Sequence, residues 1–167
     1  WAAAVDCPAS SYTLSSQAAV DAVPADCDRV IGDLVIGDID IQNSTITNLD
    51  ALANITSVGG NLQIENNAAL ANLDGLVNLT SVEAGLFISN NAALTSLDAL
   101  ANITTVGGDL QISINAALTN LDGLANITTV GGDLFINENA TITNLNGLAN
   151  LTSVGGFLNI QNNAALT

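Results

Sequence analysis

Apolar residues recur along this chain at a fixed step. Leu62, Ile64, Leu70, Leu73, Leu76, Leu79 and Val82 are followed 24 residues on by Leu86, Ile88, Leu94, Leu97, Leu100, Ile103 and Val106. The same columns run through to Val154 without a polar interruption. Leu62 and Ile64 stand two apart, the spacing of a strand with one face buried. The remaining columns stand three apart, too tight for an α-helical face. They suit extended or 3₁₀-like bends that each turn one residue inward. Each unit therefore predicts one short strand followed by bends that bring the chain round. A period of this size marks a solenoid whose units stack on their neighbours. With strands rising at ~4.8 Å per rung, the expected fold is all-β, a parallel β-solenoid of 24-residue coils.

Departures from the period add detail. The first coil, opening at Gly32-Asp33-Leu34-Val35-Ile36, carries extra residues around Gly37-Asp38-Ile39-Asp40 and rejoins the pattern at Leu49. Gly59-Gly60, Gly107-Gly108, Gly131-Gly132 and Gly155-Gly156 precede the strands, where a tight corner is expected to need positive φ. Glu83-Ala84-Gly85 replaces the pair in one coil and predicts a different corner there. Residues 1–29 lack the repeat. Tyr12 and Leu14 alternate with polar residues as in a short strand, and Ser15 or Ser16 is placed to cap a short helix through Ala18, Val20 and Val23 that Pro24 stops. A stack of coils has an apolar end that needs covering, so 1–29 is expected to be an N-terminal cap on repeats spanning 30–167.

Composition narrows the function. The chain has 167 residues, with 16 acidic and a single basic one, Arg29, for a formal net charge of −15. So little basic surface makes nucleic acid and anionic membranes poor partners. An acidic, unpaired surface suits salty water, where screening softens self-repulsion, and suits cations. At 49% hydrophobic and 10% charged the chain is no disordered polyanion. No apolar run reaches the ~20 residues of a membrane-spanning helix. Trp1 in place of Met is the start expected of a chain whose leader has been removed. In such a secreted chain Cys7 and Cys27 read as a disulfide, the alternative being two buried thiols. There is no His or Lys, which removes most nucleophile–base pairs, and the carboxylates fall in columns rather than in a cluster. The chain is therefore expected not to be an enzyme.

Cys7, Ser15-Ser16-Gln17 and Cys27-Asp28-Arg29-Val30-Ile31-Gly32-Asp33-Leu34-Val35-Ile36 together resemble the opening of receptor L-domains. Later segments, such as Leu121-Asp122-Gly123-Leu124 and Thr128-Thr129-Val130-Gly131-Gly132-Asp133-Leu134, look like the regular arrays of microbial and fungal surface proteins of that type. The resemblance covers essentially the whole chain. It implies a leucine-rich-like right-handed β-helix in an extracellular setting, with no catalytic residues to carry over.

Several polar columns are candidates for chemistry. Asn67, Asn91, Asn115, Asn139 and Asn163 follow the strands, where an Asn ladder would bond backbone groups or present amides to a ligand. Asp50, Asp74, Asp98 and Asp122, followed by Asn146, either cap turns by accepting backbone N–H bonds or hold cations such as calcium between coils. Asn-x-Ser/Thr triplets fall at Asn43, Asn54, Asn78, Asn102, Asn126, Asn139 and Asn150, five of them in one column, where repeat geometry explains most and a glycan would fit one or two. The Thr56, Thr80, Thr104, Thr128 and Thr152 rank is either a solvated face bonded along the stack or an ice-matching one.

The outward strand position varies instead. It reads Gln63, Phe87, Gln111, Phe135, Asn159, with Phe157 beside it. Aromatic residues exposed on a flat sheet point to a partner face, unless a loop or glycan covers them. The chain ends at Thr167 partway through a coil, and an open parallel edge is an association hazard. The expected function is an extracellular structural or adhesive module that self-assembles through its last coil and strand face. A surface domain that binds a ligand or glycan is the alternative, and ice binding stands behind both. Expected partners are further copies, surface proteins or glycans.

Overall fold

A computed structural model of the chain describes residues 5–38 and 44–167. Trp1, the inserted residues Ile39 and Asp40, and the triplet at Asn43 lie outside the described residues. The first elements are β1 (Tyr12–Leu14) and α1 (Gln17–Asp21). Ser16 caps the helix, its Oγ accepting the Ala19 N–H at 3.2 Å. The helix ends before Val23, short of the expected span. Val23 N–H instead donates to Val20 O at 3.1 Å, a tightened last turn that drives the Val23 side chain into the core. Cys7 and Cys27, both buried, form a disulfide.

Beyond this segment each coil holds two strands rather than the one expected. The short ones are β2 (Arg29–Val30), β4 (Ser57–Val58), β6 (Ser81–Val82), β8 (Thr105–Val106), β10 (Thr129–Val130) and β12 (Ser153–Val154). The long ones are β3 (Leu34–Gly37), β5 (Leu62–Glu65), β7 (Leu86–Ser89), β9 (Leu110–Ser113), β11 (Leu134–Asn137) and β13 (Leu158–Gln161). Sequence concealed the short strand because only one of its two residues, the Val, points inward. Two residues are too few to display an alternation.

Both sets stack in parallel. The long strands join β1 in a seven-stranded sheet in sequence order, and the short strands build a six-stranded one. The register is that of the repeat, with Leu62, Leu86, Leu110 and Leu134 aligned across β5, β7, β9 and β11. The first coil keeps this register across its insertion, since Leu34 pairs with Leu62. The chain turns back through 3₁₀ helices at Asp50–Leu52, Asp74–Leu76, Asp98–Leu100, Asp122–Leu124 and Asn146–Leu148. Their inward Leu residues and the strand Leu, Ile and Val form one continuous core, fully buried from Leu34 to Ile142. Each such aliphatic stabilises the stack by roughly 1.5–3 kcal/mol before chain entropy is subtracted. The fold is the parallel β-solenoid that the period predicts.

The glycine pairs do not take the positive φ expected of them. Among the described glycines only Gly37 has a left-handed φ, at 113°. The pairs are needed because adjacent coils touch: a Cβ on Gly131 would overlap the Gly107 carbonyl, and one on Gly155 the Gly131 carbonyl. The left-handed turn lies at the other end of the strand, at Asn66, Asn90, Ile114, Glu138 and Asn162, with φ between 54° and 60°. Asn tolerates that conformation; Ile114, β-branched, is strained there.

A matched pair of substitutions tests the close-approach account. A Cβ on Gly132 would collide with the Asp109 carboxylate, whereas one on Gly108 meets only Ala84 and Gly85 backbone atoms at 3.1 Å. Gly132→Ala is expected to destabilise by about 1–3 kcal/mol, and Gly108→Ala by clearly less. Chemical denaturation of the two variants side by side decides it. Equal losses would mean that the corner glycines are chosen for something other than contact.

Candidate functional site

The outer face of the seven-stranded sheet carries two columns. One runs Val35, Gln63, Phe87, Gln111, Phe135, Asn159, and the other Gly37, Glu65, Ser89, Ser113, Asn137, Gln161. Phe87 and Phe135 stand two rungs apart, at roughly 10 Å, with Gln111 between them. Both are half-buried rather than exposed as expected. For Phe87 the reason is local: its ring lies over Gly85, occupying the space where a side chain at that position would begin. Gln111 Nε2 donates to Ser113 Oγ at 2.9 Å, which fixes the amide between the rings. Phe157 is 77% exposed and stands at a corner rather than within the strand column. Asn137 Oδ1 on the same face is closed off from solvent without a hydrogen-bond partner among the described residues.

Burial pushes the Glu65 carboxyl above its ordinary pKa, and a hydrogen bond with Ser89 partly opposes the shift. Folded protein therefore holds this proton more tightly than unfolded chain, so stability falls as pH rises from the ordinary Glu value through the folded one. Glu65→Gln is expected to flatten that stretch of the stability–pH curve. An unchanged slope in the variant, measured by thermal unfolding across pH 4–7 (about the range in which a raised carboxyl titrates), would show that other carboxylates set it.

The remaining columns hold the stack together. Asn67, Asn91, Asn115 and Asn139 are fully buried. Each Oδ1 from Asn91 to Asn163 accepts the backbone N–H of the Asn one coil before, at 2.9–3.1 Å. Each Nδ2 reaches back to a strand carbonyl, as Asn115 does to Ile88 O at 2.9 Å. Asn139, which begins one of the Asn-x-Thr triplets, is buried in this ladder with its Nδ2 bonded to Ile112 O and Asn137 O. The column of Asn54, Asn78, Asn102, Asn126 and Asn150 is exposed, yet every Nδ2 donates to a carbonyl of the previous coil at 2.7–2.8 Å. Thr56, Thr80, Thr128 and Thr152 likewise turn their hydroxyls into the stack, onto carbonyls at 2.9–3.3 Å.

The Asp column needs correcting. Asp50, Asp74, Asp98 and Asp122 open the 3₁₀ turns but accept no capping bond among the described residues, and their carboxylates are exposed. The capping side chain lies two residues earlier. Asn48, Asn72, Ser96, Asn120 and Asn144 each accept the N–H at the Asp or Asn146 position, at 2.9–3.2 Å. A short side chain bonding two residues on is a common turn device, and that Asn/Ser column was visible in the repeat. Among the described residues no three carboxylates, thiols or imidazoles gather as a metal site.

A second ladder, not expected from the repeat, runs along the corner before the long strands. Ser11 Oγ accepts the Asp33 N–H at 3.1 Å, Asp33 Oδ1 the Asn61 N–H at 2.7 Å, and Asn61 Oδ1 the Gly85 N–H at 2.8 Å. Gly85, with no side chain, interrupts it. It resumes with Asp109 accepting from Asp133 at 2.8 Å and Asp133 from Phe157 at 2.7 Å. Asp or Asn at most of these positions was the available signal. Three acidic residues thus serve the corner, and the ring of Phe87 fills the gap at Gly85.

Among the described residues no helix is long and apolar enough to cross a membrane. No match was found among curated proteins or among solved structures. The receptor L domain family matches twice, over residues 26–102 and 102–167. These two stretches contain nearly all the coils, in agreement with the resemblance carried by the Cys7–Ile36 region and the later repeats. The chain belongs to the receptor L domain family.

Proposed function

We propose that this domain is an extracellular, non-enzymatic recognition module that holds a surface ligand, glycan or polypeptide, against the outer face of its seven-stranded sheet. The observation that supports it most is the contrast between columns. Buried Asn, inward Leu and turn-capping residues repeat coil after coil, whereas the outward position alternates Gln63, Phe87, Gln111, Phe135. Aromatic rings flanking a fixed amide supply apolar contact together with hydrogen bonding, the combination found at the centres of recognition surfaces. A net charge of −15 selects neutral or basic ligands over acidic ones.

Family membership supports recognition over the self-assembling scaffold expected from the sequence. Screening the purified domain on glycan and peptide arrays tests the proposal. Binding is expected, and the Phe87→Ala/Phe135→Ala variant is expected to lose it by tenfold or more, since buried aromatic anchors contribute about 2 kcal/mol or more each. Binding that survives both substitutions, or none on either array, rejects the proposal. Light scattering of the same sample reads the scaffold alternative directly, as growth in mass with concentration.

A further inference from the structure

The six-stranded sheet carries its own departure from the repeat. The position that follows each short strand reads Ile31, Gly59, Glu83, Gly107, Gly131, Gly155. Hydrogen bonds keep these residues stacked: Gly59 N–H donates to Val30 O at 2.8 Å and Glu83 N–H to Val58 O at 2.9 Å. Where glycines follow one another the surface is flat. Around Gly59 it is not. Gly59 lies one rung (about 5 Å) from Ile31 on one side and from Glu83 on the other. The bare glycine therefore floors a slot between two side chains.

That slot is a recess of about 180 Å³ lined by Arg29, Val30, Ile31, Gly59 and Glu83. Its apolar wall is open to solvent, with Ile31 51% exposed. Its charged wall is free: Glu83 is exposed and its carboxylate has no hydrogen bond or ion pair among the described residues. Arg29 does not claim Glu83, because its guanidinium pairs with Asp6 at 2.6 Å.

We propose that this recess is a docking point for a lysine side chain of a partner protein. An aliphatic wall ending at a free carboxylate matches a lysine, whose four-carbon stem lies along apolar surface while its compact ammonium reaches a single charge. Overall charge acts in the same direction, since a −15 domain draws basic partners towards it. The site lies on the six-stranded sheet and does not depend on the ligand face proposed above.

The test is an NMR titration of the intact chain with Nα-acetyl-lysine methylamide, and with the norleucine analogue that lacks the ammonium. Saturable shifts are expected at the Ile31 methyls and at the Gly59 and Glu83 amides, with the norleucine compound giving weaker ones. Glu83→Gln is expected to weaken lysine binding about fivefold, the size of one exposed ion pair. Asp98→Asn removes an equally exposed carboxylate elsewhere and is expected to leave it unchanged. Shifts spread evenly over the acidic surface, or equal weakening by both substitutions, would overturn the proposal. So would the absence of saturable shifts at these three residues.

Discussion

Asn115→Ala is expected to lower the melting temperature by about 6–20 °C, the largest effect of any polar substitution in the repeats. Asn115 is fully buried and joins three coils. Its Oδ1 accepts both the backbone N–H and the Nδ2 of Asn91, at 3.1 and 3.2 Å. Its Nδ2 donates to Ile88 O at 2.9 Å and to Asn139 Oδ1 at 3.3 Å. Truncation leaves two donors on Asn91 unpaired where water cannot reach them, and removes the amide bond to Ile88 O. Each buried orphan costs about 1–3 kcal/mol, and partial relaxation brings the sum to roughly 3–5 kcal/mol. Asp98→Ala is the control. That carboxylate is exposed and caps nothing, so its loss is expected to stay within about 0.5 kcal/mol. Thermal unfolding followed by circular dichroism separates the two, and similar shifts for both would refute the ladder's role.

Loss of the Cys7–Cys27 bond is expected to come next in size. The bridge closes a loop of sequence separation 20 that contains β1 and α1. A loop of that length stabilises by roughly 3 kcal/mol, chiefly by restricting the unfolded chain. Native contacts add to this: β1 is the first strand of the seven-stranded sheet, with Leu14 beside Ile36, and Val20 and Val23 belong to the core. Replacing both cysteines by serine is expected to lower the melting temperature by about 6–12 °C. It should also expose the segment around Ala25 and Asp26 to proteolysis before the coils are cut. A variant that melts like the parent and resists protease equally would show that the segment is held by packing alone.

Much of the architecture was legible because a solenoid writes its geometry into its period. Leu62 and Ile64 recurring every 24 residues could belong only to stacked strands, and that stack is the observed sheet. What stayed hidden followed from contacts between coils, which a single repeat does not display. The glycine pairs looked like conformational devices, yet Gly131 is glycine because the Gly107 carbonyl touches it from the next rung. The Asp column drew attention by its charge, while Asn120, two residues before Asp122, does the capping. Asp109 and Asp133 went unnoticed although their carboxylates bind backbone in the following coil. On the candidate face the sequence located Phe87 and Phe135 but not their depth, since the ring of Phe87 is seated by the absence of a side chain at Gly85.

One separation of roles underlies these expectations: repeated columns hold the coils together, and positions that break the repeat meet partners. The most direct test measures the affinity of an array-selected ligand for Asn115→Ala and for Phe87→Ala/Phe135→Ala, below the melting temperature of each. The account predicts parental affinity for the destabilised Asn115→Ala and loss of binding for the Phe variant. Binding lost with Asn115→Ala but kept by the Phe variant would contradict it and move the ligand off the seven-stranded sheet.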